Sequence, residues 1–282
     1  MQSVAVVGCG TMGSGIAYVT AQAGLATRLY DVFPEQLTKA RSYHDKLLVR
    51  AIEKGRLTQA DADAVADRVT YTNDLAEALS GVDLVVEAVP ESLELKKKLF
   101  AQMEQQVGEG TILGSNTSSL PITEIATAVQ KRDRVVGIHF FNPAPVMELI
   151  EIIQAVETSD DTVQAVVEFA ERAGKEPVVV KDFPGFVTTR VGLMLVSEAI
   201  LTLQEGVAES DALDKAMKLG YKLPMGPLAL ADLIGLDIVL HVLDALYDNY
   251  RDARYRAPIL LRKMVQAGHL GRKTGKGFFE YS

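Results

Sequence analysis

The sequence contains a single cysteine, Cys9, and four scattered histidines, His44, His139, His241 and His269. One thiol cannot form an intramolecular disulfide, and no Cys or His cluster has zinc-site spacing, so neither device is expected to hold this fold and no metal is anticipated. A reducing compartment, the cytoplasm, suits such a chain. Basic charge is also in short supply: 29 Lys and Arg stand against 37 Asp and Glu, for a formal net charge of −8. That balance argues against a broad electrostatic footprint for nucleic acid or an anionic membrane. Any anionic ligand must be held by a few local groups.

Unbroken apolar runs are missing too. The uncharged start, which extends to Arg28, has no basic residue ahead of it and is interrupted by Gly8, Gly10, Gly13, Gly15 and Gly24, unlike a secretion signal. The stretch from Pro227 to Leu246 carries Asp232, Asp237, His241 and Asp244, which a membrane-spanning helix would bear only at a cost. Low-complexity tracts are absent, and 48% hydrophobic with 23% charged residues is the usage of a folded globular protein.

A length of 282 residues allows two domains. Ser3 to Val7 is a short, β-branched apolar run that stops at Gly8, as a buried parallel strand does. A helix is predicted from Thr11 to Gly24, and a second strand from Leu25 to Tyr30 closes a β-α-β unit. Further strands are predicted at Val69 to Thr72, Val82 to Ala88, Thr111 to Gly114, Arg134 to His139, Glu148 to Ile153 and Pro177 to Val180, most of them separated by helical patterns. This alternation implies an α/β, doubly wound Rossmann-type sheet, mostly parallel. Between Pro34 and Arg68 no strand intervenes, so a helical hairpin is inserted at about residues 35–67, turning at Gly55. After Phe183 only helical periodicity remains. The predicted domains are therefore 1–183, of Rossmann type, and 184–282, all helical.

Gly8-Cys9-Gly10-Thr11-Met12-Gly13 follows a predicted buried strand and opens a helix, and Asp31 ends the next strand 18 residues beyond Gly13. In that context Gly8 permits the tight turn, Gly10 lets the backbone approach a pyrophosphate, and Gly13 lets helix and strand pack closely. Asp31 can accept hydrogen bonds from ribose hydroxyls and repels a 2′-phosphate, which favours NAD over NADP. Cys9 is read as a small filler, because no basic partner is near in sequence.

Doubly wound sheets bind ligands beyond the carboxyl ends of their strands. Here those ends are polar: Glu87-Ala88-Val89-Pro90-Glu91 followed by Lys96, then Ser115-Asn116-Thr117-Ser118-Ser119, then His139-Phe140-Phe141-Asn142-Pro143-Ala144-Pro145. Singly, Ser118 and Asn116 would be ordinary turn residues. Together these segments surround the place where a nicotinamide would sit. His139 and Glu151 each lie six residues from Pro145, so an antiparallel return can set them opposite each other. A histidine backed by a carboxylate is a general base. A lone buried histidine is more often structural, but the cofactor motif tips the balance toward catalysis. No nucleophile elbow accompanies the pair, which favours hydride transfer over acyl transfer.

With Pro184-Gly185-Phe186, Met225-Gly226-Pro227 and Gly271-Arg272-Lys273-Thr274-Gly275-Lys276-Gly277-Phe278 added, these motifs resemble the L-3-hydroxyacyl-CoA dehydrogenase family along the whole chain. In length the chain is closest to the single-function 3-hydroxybutyryl-CoA form. The resemblance implies NAD-dependent oxidation of a short (S)-3-hydroxyacyl-CoA, or reduction of acetoacetyl-CoA. His139 would be the base, Glu151 its orienting partner, and Ser118 a hydrogen-bond donor to the substrate oxygen. It further implies that Glu91, Lys96, Asn142 and Lys273 line the cofactor, and that the C-terminal helices form a homodimer.

In one place the chain departs from the family: Gly185-Phe186-Val187-Thr188-Thr189-Arg190 carries Thr189 where the family commonly has a substrate-holding Asn. Arg50, Lys54 and Arg56, near the tip of the inserted hairpin, lie where the family grips CoA and could hold its phosphates. For each of them a solvated helix face is an equally good reading. Two alternatives stay open: a dehydrogenase of a free hydroxy or sugar acid, with Arg190 as the carboxylate anchor, and a non-enzymatic NAD-binding protein.

Overall fold

A computed structural model describes residues 1–281. The chain divides into two compact units, Met1–Phe183 and the segment from Pro184 onward. The first is built on eight strands: β1 (Ser3–Val7), β2 (Ala26–Tyr30), β3 (Val69–Thr72), β4 (Leu84–Glu87), β5 (Ile112–Ser115), β6 (Val135–Phe140), β7 (Leu149–Gln154) and β8 (Glu176–Lys181). They form one sheet in the order β3-β2-β1-β4-β5-β6-β7-β8. Strands β1 to β6 run parallel, β7 is antiparallel to β6, and β8 is parallel to β7.

The expected doubly wound sheet is therefore present. Its central strands are apolar without alternation because both faces are covered, and Val4, Val6, Leu84 and Val86 are fully buried. Strand β4 is shorter than the apolar run that predicted it, since pairing with β1 begins at Val4 opposite Leu84. Just before it, the Asp83 carboxylate accepts the N–H groups of Gln2 and Ser3 at 2.5 and 3.0 Å.

Helix α1 (Thr11–Gln22) connects β1 to β2, and the inserted hairpin consists of α2 (Pro34–Glu53) and α3 (Gln59–Asp67). Gly55, with φ of 65°, makes the turn. Thr58 and Asp61 cap α3 reciprocally. Three further helices of this unit, α4 (Leu75–Leu79), α5 (Leu93–Glu104) and α6 (Ile122–Ala126), follow β3, β4 and β5, and α7 (Asp160–Arg172) joins β7 to β8.

The hairpin is fixed to α1 by a buried polar relay. The Ser14 hydroxyl donates to the carbonyl of Cys9 at 3.0 Å, and the Ser14 carbonyl lies 2.7 Å from His44 Nε2. A carbonyl only accepts, so Nε2 carries the hydrogen and Nδ1 accepts from the Tyr71 hydroxyl at 2.7 Å. Burial lowers the His44 pKa and pushes the Tyr71 phenol up to about 12, so both groups are neutral.

The second unit contains α8 (Thr188–Gln204), α9 (Ser210–Tyr221), α10 (Pro227–Ile234), α11 (Leu236–Tyr250) and α12 (Ile259–Gln266). They pack around Val196, Ile200, Leu228, Leu236, Val239, Leu243 and Leu261. Two buried carboxylates organise it. Asp214 accepts the N–H groups of Leu228 and Ala229, both at 2.9 Å, at the positive end of α10. Asp232 accepts from the N–H groups of Phe278 and Phe279 and from the Tyr281 hydroxyl, each at 3.0 Å. A Cβ at Gly226 would fall 2.2 Å from the Asp214 carboxyl carbon, and one at Gly277 would fall 1.9 Å from Asp232 Oδ1. The Met225-Gly226-Pro227 and Gly275-Lys276-Gly277-Phe278 blocks therefore serve packing in this unit.

A Cβ at Gly13 would sit 1.7 Å from the Gly8 carbonyl oxygen. Gly13→Ala should thus cost at least the about 1–3 kcal/mol typical of overpacking, read as a lowered urea midpoint, and an unchanged midpoint would refute the packing role. The depressed pKa of His44 means that its contribution to stability is complete above the ordinary value of 6.5 and is lost as pH falls through the folded-state value. Urea midpoints should therefore drop on acidification below pH 6.5, and His44→Gln should flatten that slope. A slope just as steep in the variant would remove His44 from the account.

Candidate active site

The glycine turn is shaped by contacts that leave no room for side chains. Gly8 has φ of 106°, and a Cβ there would lie 2.7 Å from the Ala88 carbonyl oxygen at the end of β4. Gly10 caps α1 and differs from both neighbouring glycines, because a Cβ on it would meet nothing within 4 Å. The backbone at Gly10 thus faces open space, at a helix end with no capping side chain and no acidic residue in its first turn. Such an end attracts an anion. Asp31 directly follows β2, where one carboxylate oxygen accepts the Cys9 N–H at 2.7 Å and the other the Phe33 N–H at 3.0 Å. Burial and the Asp31 charge push the Cys9 thiol up to about 12, so it is a neutral packing group.

A cleft of about 750 Å³ runs along this edge, lined by Gly8, Gly10, Thr11, Met12 and Asp31, with Val32 and Phe33 beside the carboxylate and Val89 and Pro90 opposite. These residues fit a dinucleotide: open backbone for the pyrophosphate, an acceptor for ribose hydroxyls, and an apolar wall for the base. One face of α5 completes the cleft through Leu95, Lys98, Leu99 and Gln102. Sequence reasoning did not single these out. Their helical spacing is legible, but which face meets the cleft is not.

His139 lies in β6 directly opposite Glu151 in antiparallel β7. Nδ1 is 2.9 Å from Glu151 Oε2, with the His139 side chain 8% and that of Glu151 1% exposed. The ring also packs on Phe141, centroid to centroid 4.4 Å. The turn between the two strands is fixed by buried Lys175, whose ammonium donates to the carbonyls of Ala144 and Met147, both at 2.7 Å. It also abuts α1, since a Cβ at Gly15 would lie 3.1 Å from Ala144 Cβ and 3.2 Å from Pro145 Cδ. Asn142 opens this turn.

Between β4 and β5 lies a buried ionic network. Glu87, wholly buried, accepts from Lys96 Nζ at 2.6 Å, from the Val89 N–H at 2.7 Å and from the Ser115 hydroxyl at 2.6 Å. Lys96 also donates to the Val89 carbonyl at 3.2 Å and pairs with Glu91 at 3.4 Å. Lys96 is 1% exposed and is not part of the cleft lining; its ammonium points into the protein. Glu91 in turn accepts from the Thr117 hydroxyl, from the Ser118 N–H at 3.2 Å and from the Ser119 hydroxyl at 3.1 Å. Asn116 accepts the Phe140 N–H at 2.9 Å, tying this loop to the end of β6. Removing one partner of such a buried pair costs about 3–5 kcal/mol.

The remaining predicted residues lie elsewhere. Arg50, Lys54 and Arg56 are exposed at the hairpin tip. In the second unit, Thr189 is in the first turn of α8, and Lys273 donates to both oxygens of Asp237 at 2.5 and 2.6 Å. Arg190, the candidate anchor for a free acid, is enclosed by tyrosines: it donates to the hydroxyls of Tyr255 and Tyr250 at 2.9 and 3.2 Å and stacks on the Tyr250 ring.

Known proteins resemble the chain over its whole described length. Residues 3–183 match the model of the 3-hydroxyacyl-CoA dehydrogenase NAD-binding domain, and residues 185–281 match that of the C-terminal domain of the same family. A probable 3-hydroxybutyryl-CoA dehydrogenase of Bacillus subtilis is 46% identical, covering 100% of this chain and 98% of its own. The 3-hydroxybutyryl-CoA dehydrogenase of Clostridioides difficile is 42% identical over 99% of both chains. The crystal structure of (S)-3-hydroxybutyryl-CoA dehydrogenase from Ralstonia eutropha superposes with a TM-score of 0.97 at 43% identity, covering 100% of this chain and 99% of that one. With its glycine turn, Asp31 and cleft, the chain is an NAD-dependent dehydrogenase, and it belongs to the 3-hydroxyacyl-CoA dehydrogenase family.

Proposed function

We propose that the protein interconverts a short-chain (S)-3-hydroxyacyl-CoA and its 3-oxoacyl-CoA, with acetoacetyl-CoA as the reference substrate for reduction. The observation that carries this reading is the buried 2.9 Å contact between His139 Nδ1 and Glu151, with His139 near the carboxyl end of β6, the same end of the parallel strands from which the glycine turn leaves β1. With Glu151 accepting, Nδ1 carries the hydrogen and proton exchange falls to Nε2. In the oxidative direction His139 takes the proton of the 3-hydroxyl at Nε2, and Glu151 stabilises the resulting imidazolium. The Ser118 hydroxyl donates to the substrate oxygen as it becomes a carbonyl. NAD, when bound, supplies the hydride acceptor. Gly8, Gly10, Thr11, Met12, Gly13 and Asp31 bind it, with Glu91 and Asn142 toward its nicotinamide end.

Arg50, Lys54 and Arg56 are the cations we assign to the CoA phosphates. The enclosure of Arg190 favours the CoA ester over a free acid. We further infer a cytoplasmic homodimer built on the second unit. Val191 and Leu195, four residues apart on α8, are 65% and 36% exposed, which supports such a contact. No helix is long and apolar enough to cross a membrane among the described residues.

His139→Ala should lower turnover with acetoacetyl-CoA by about 10²–10⁴-fold while leaving NADH affinity nearly unchanged. Steady-state kinetics check this, and near-normal turnover would overturn the assignment. Asp31→Ala should weaken NAD binding and narrow the preference over NADP; fluorescence titration with both cofactors measures it, and an unaltered preference would count against the ribose role.

A further inference from the structure

We propose that Glu87 is a positioning residue for the reaction, setting the placement of Ser118 through Lys96, Glu91 and the 115–119 turn. The proposal rests on the role given to Ser118 above. Glu87 is not part of the cofactor cleft lining and has no exposed surface. A carboxylate there is costly unless it is paired and hydrogen-bonded. Its hydrogen bonds show what the charge does.

One Glu87 oxygen takes the ammonium of Lys96 at 2.6 Å together with the Val89 N–H at 2.7 Å. The other takes the Ser115 hydroxyl at 2.6 Å, at the end of β5. Lys96 is thereby aimed at Glu91, 3.4 Å away, and Glu91 holds the main-chain N–H of Ser118 at 3.2 Å. Two routes thus run from one buried carboxylate to the same turn: an ionic one through Lys96 and Glu91, and a covalent one through Ser115 and the backbone. Lys96 has two carboxylates to satisfy, and the charge on Glu87 decides how it is shared between them.

In Glu87→Gln the amide oxygen can keep Val89 and Lys96 while the amide nitrogen donates to Ser115, so the shape survives. The charge is lost, and Lys96 is then drawn to Glu91 alone, which displaces the carboxylate that holds Ser118. Turnover with acetoacetyl-CoA should fall by about 10- to 100-fold, the effect of a small misplacement at a reacting centre.

The decisive test is a double-mutant cycle with Ser118→Ala. If Glu87 acts through Ser118, the penalty of Glu87→Gln should shrink to less than about threefold once the hydroxyl is gone. A purely structural role predicts the same penalty in both backgrounds, and that result, or no loss of turnover at all, overturns the proposal. Thermal melts establish folding. If Glu87→Gln does not fold, Ser115→Ala replaces it in the cycle with the same expectation. Normal turnover in Ser118→Ala alone would sink the role of Ser118 and this proposal with it. A slow Ser118→Ala with an undiminished Glu87→Gln penalty sinks the positioning proposal only.

Discussion

The reversal of β7 against β6 is the constraint on which the proposed chemistry depends. In an otherwise parallel run from β1 to β6, neighbouring strands deliver side chains from similar depths, and a long crossover separates them in sequence. Reversing one strand brings a residue only 12 positions away in sequence directly across from His139, on the same face and inside the sheet. The hydrogen bond is thereby built into the ladder rather than left to a loop. A carboxylate with no exposure would be expensive in isolation, but facing the imidazole it gains a partner and fixes the tautomer.

The loops that surround this pair obey a second rule: none is left to find its own conformation. The turn between β6 and β7 is gripped by Lys175, the loop after β5 by Glu91 and Asn116, and the loop after β4 by Glu87 and Lys96. Each grip uses a charged or amide side chain bonded to backbone or hydroxyl groups. Loops at strand ends carry function because a rigid scaffold presents them. Here the scaffold extends into the loops themselves. The second unit repeats the device, with Asp214 and Asp232 binding main-chain N–H groups across long stretches of sequence.

Much of this was legible in the residues. The dinucleotide turn declared itself through the order strand, glycines, helix, strand, acid. The opposition of His139 and Glu151 followed from their equal distance from a turn that proline made unavoidable. What could not be read was partnership across the sheet. Glu87 and Lys96 were visible as polar residues after a strand, yet nothing in their spacing revealed that the lysine is buried between two acids. Arg190 had the chemistry of a carboxylate anchor, and only its folded surroundings show two tyrosine hydroxyls in that place. Lys98 and Gln102 were ordinary helix residues until the cleft wall was seen. Periodicity identifies a face but not its neighbour, and those neighbours are distant in sequence.

The absence of a side chain at Gly15 has one more consequence. Because α1 there meets the turn carrying Ala144 and Pro145 at bare contact distance, the helix that opens at the glycine turn and the turn that joins the strands of His139 and Glu151 share one wall. A side chain at position 15 would therefore press on both at once.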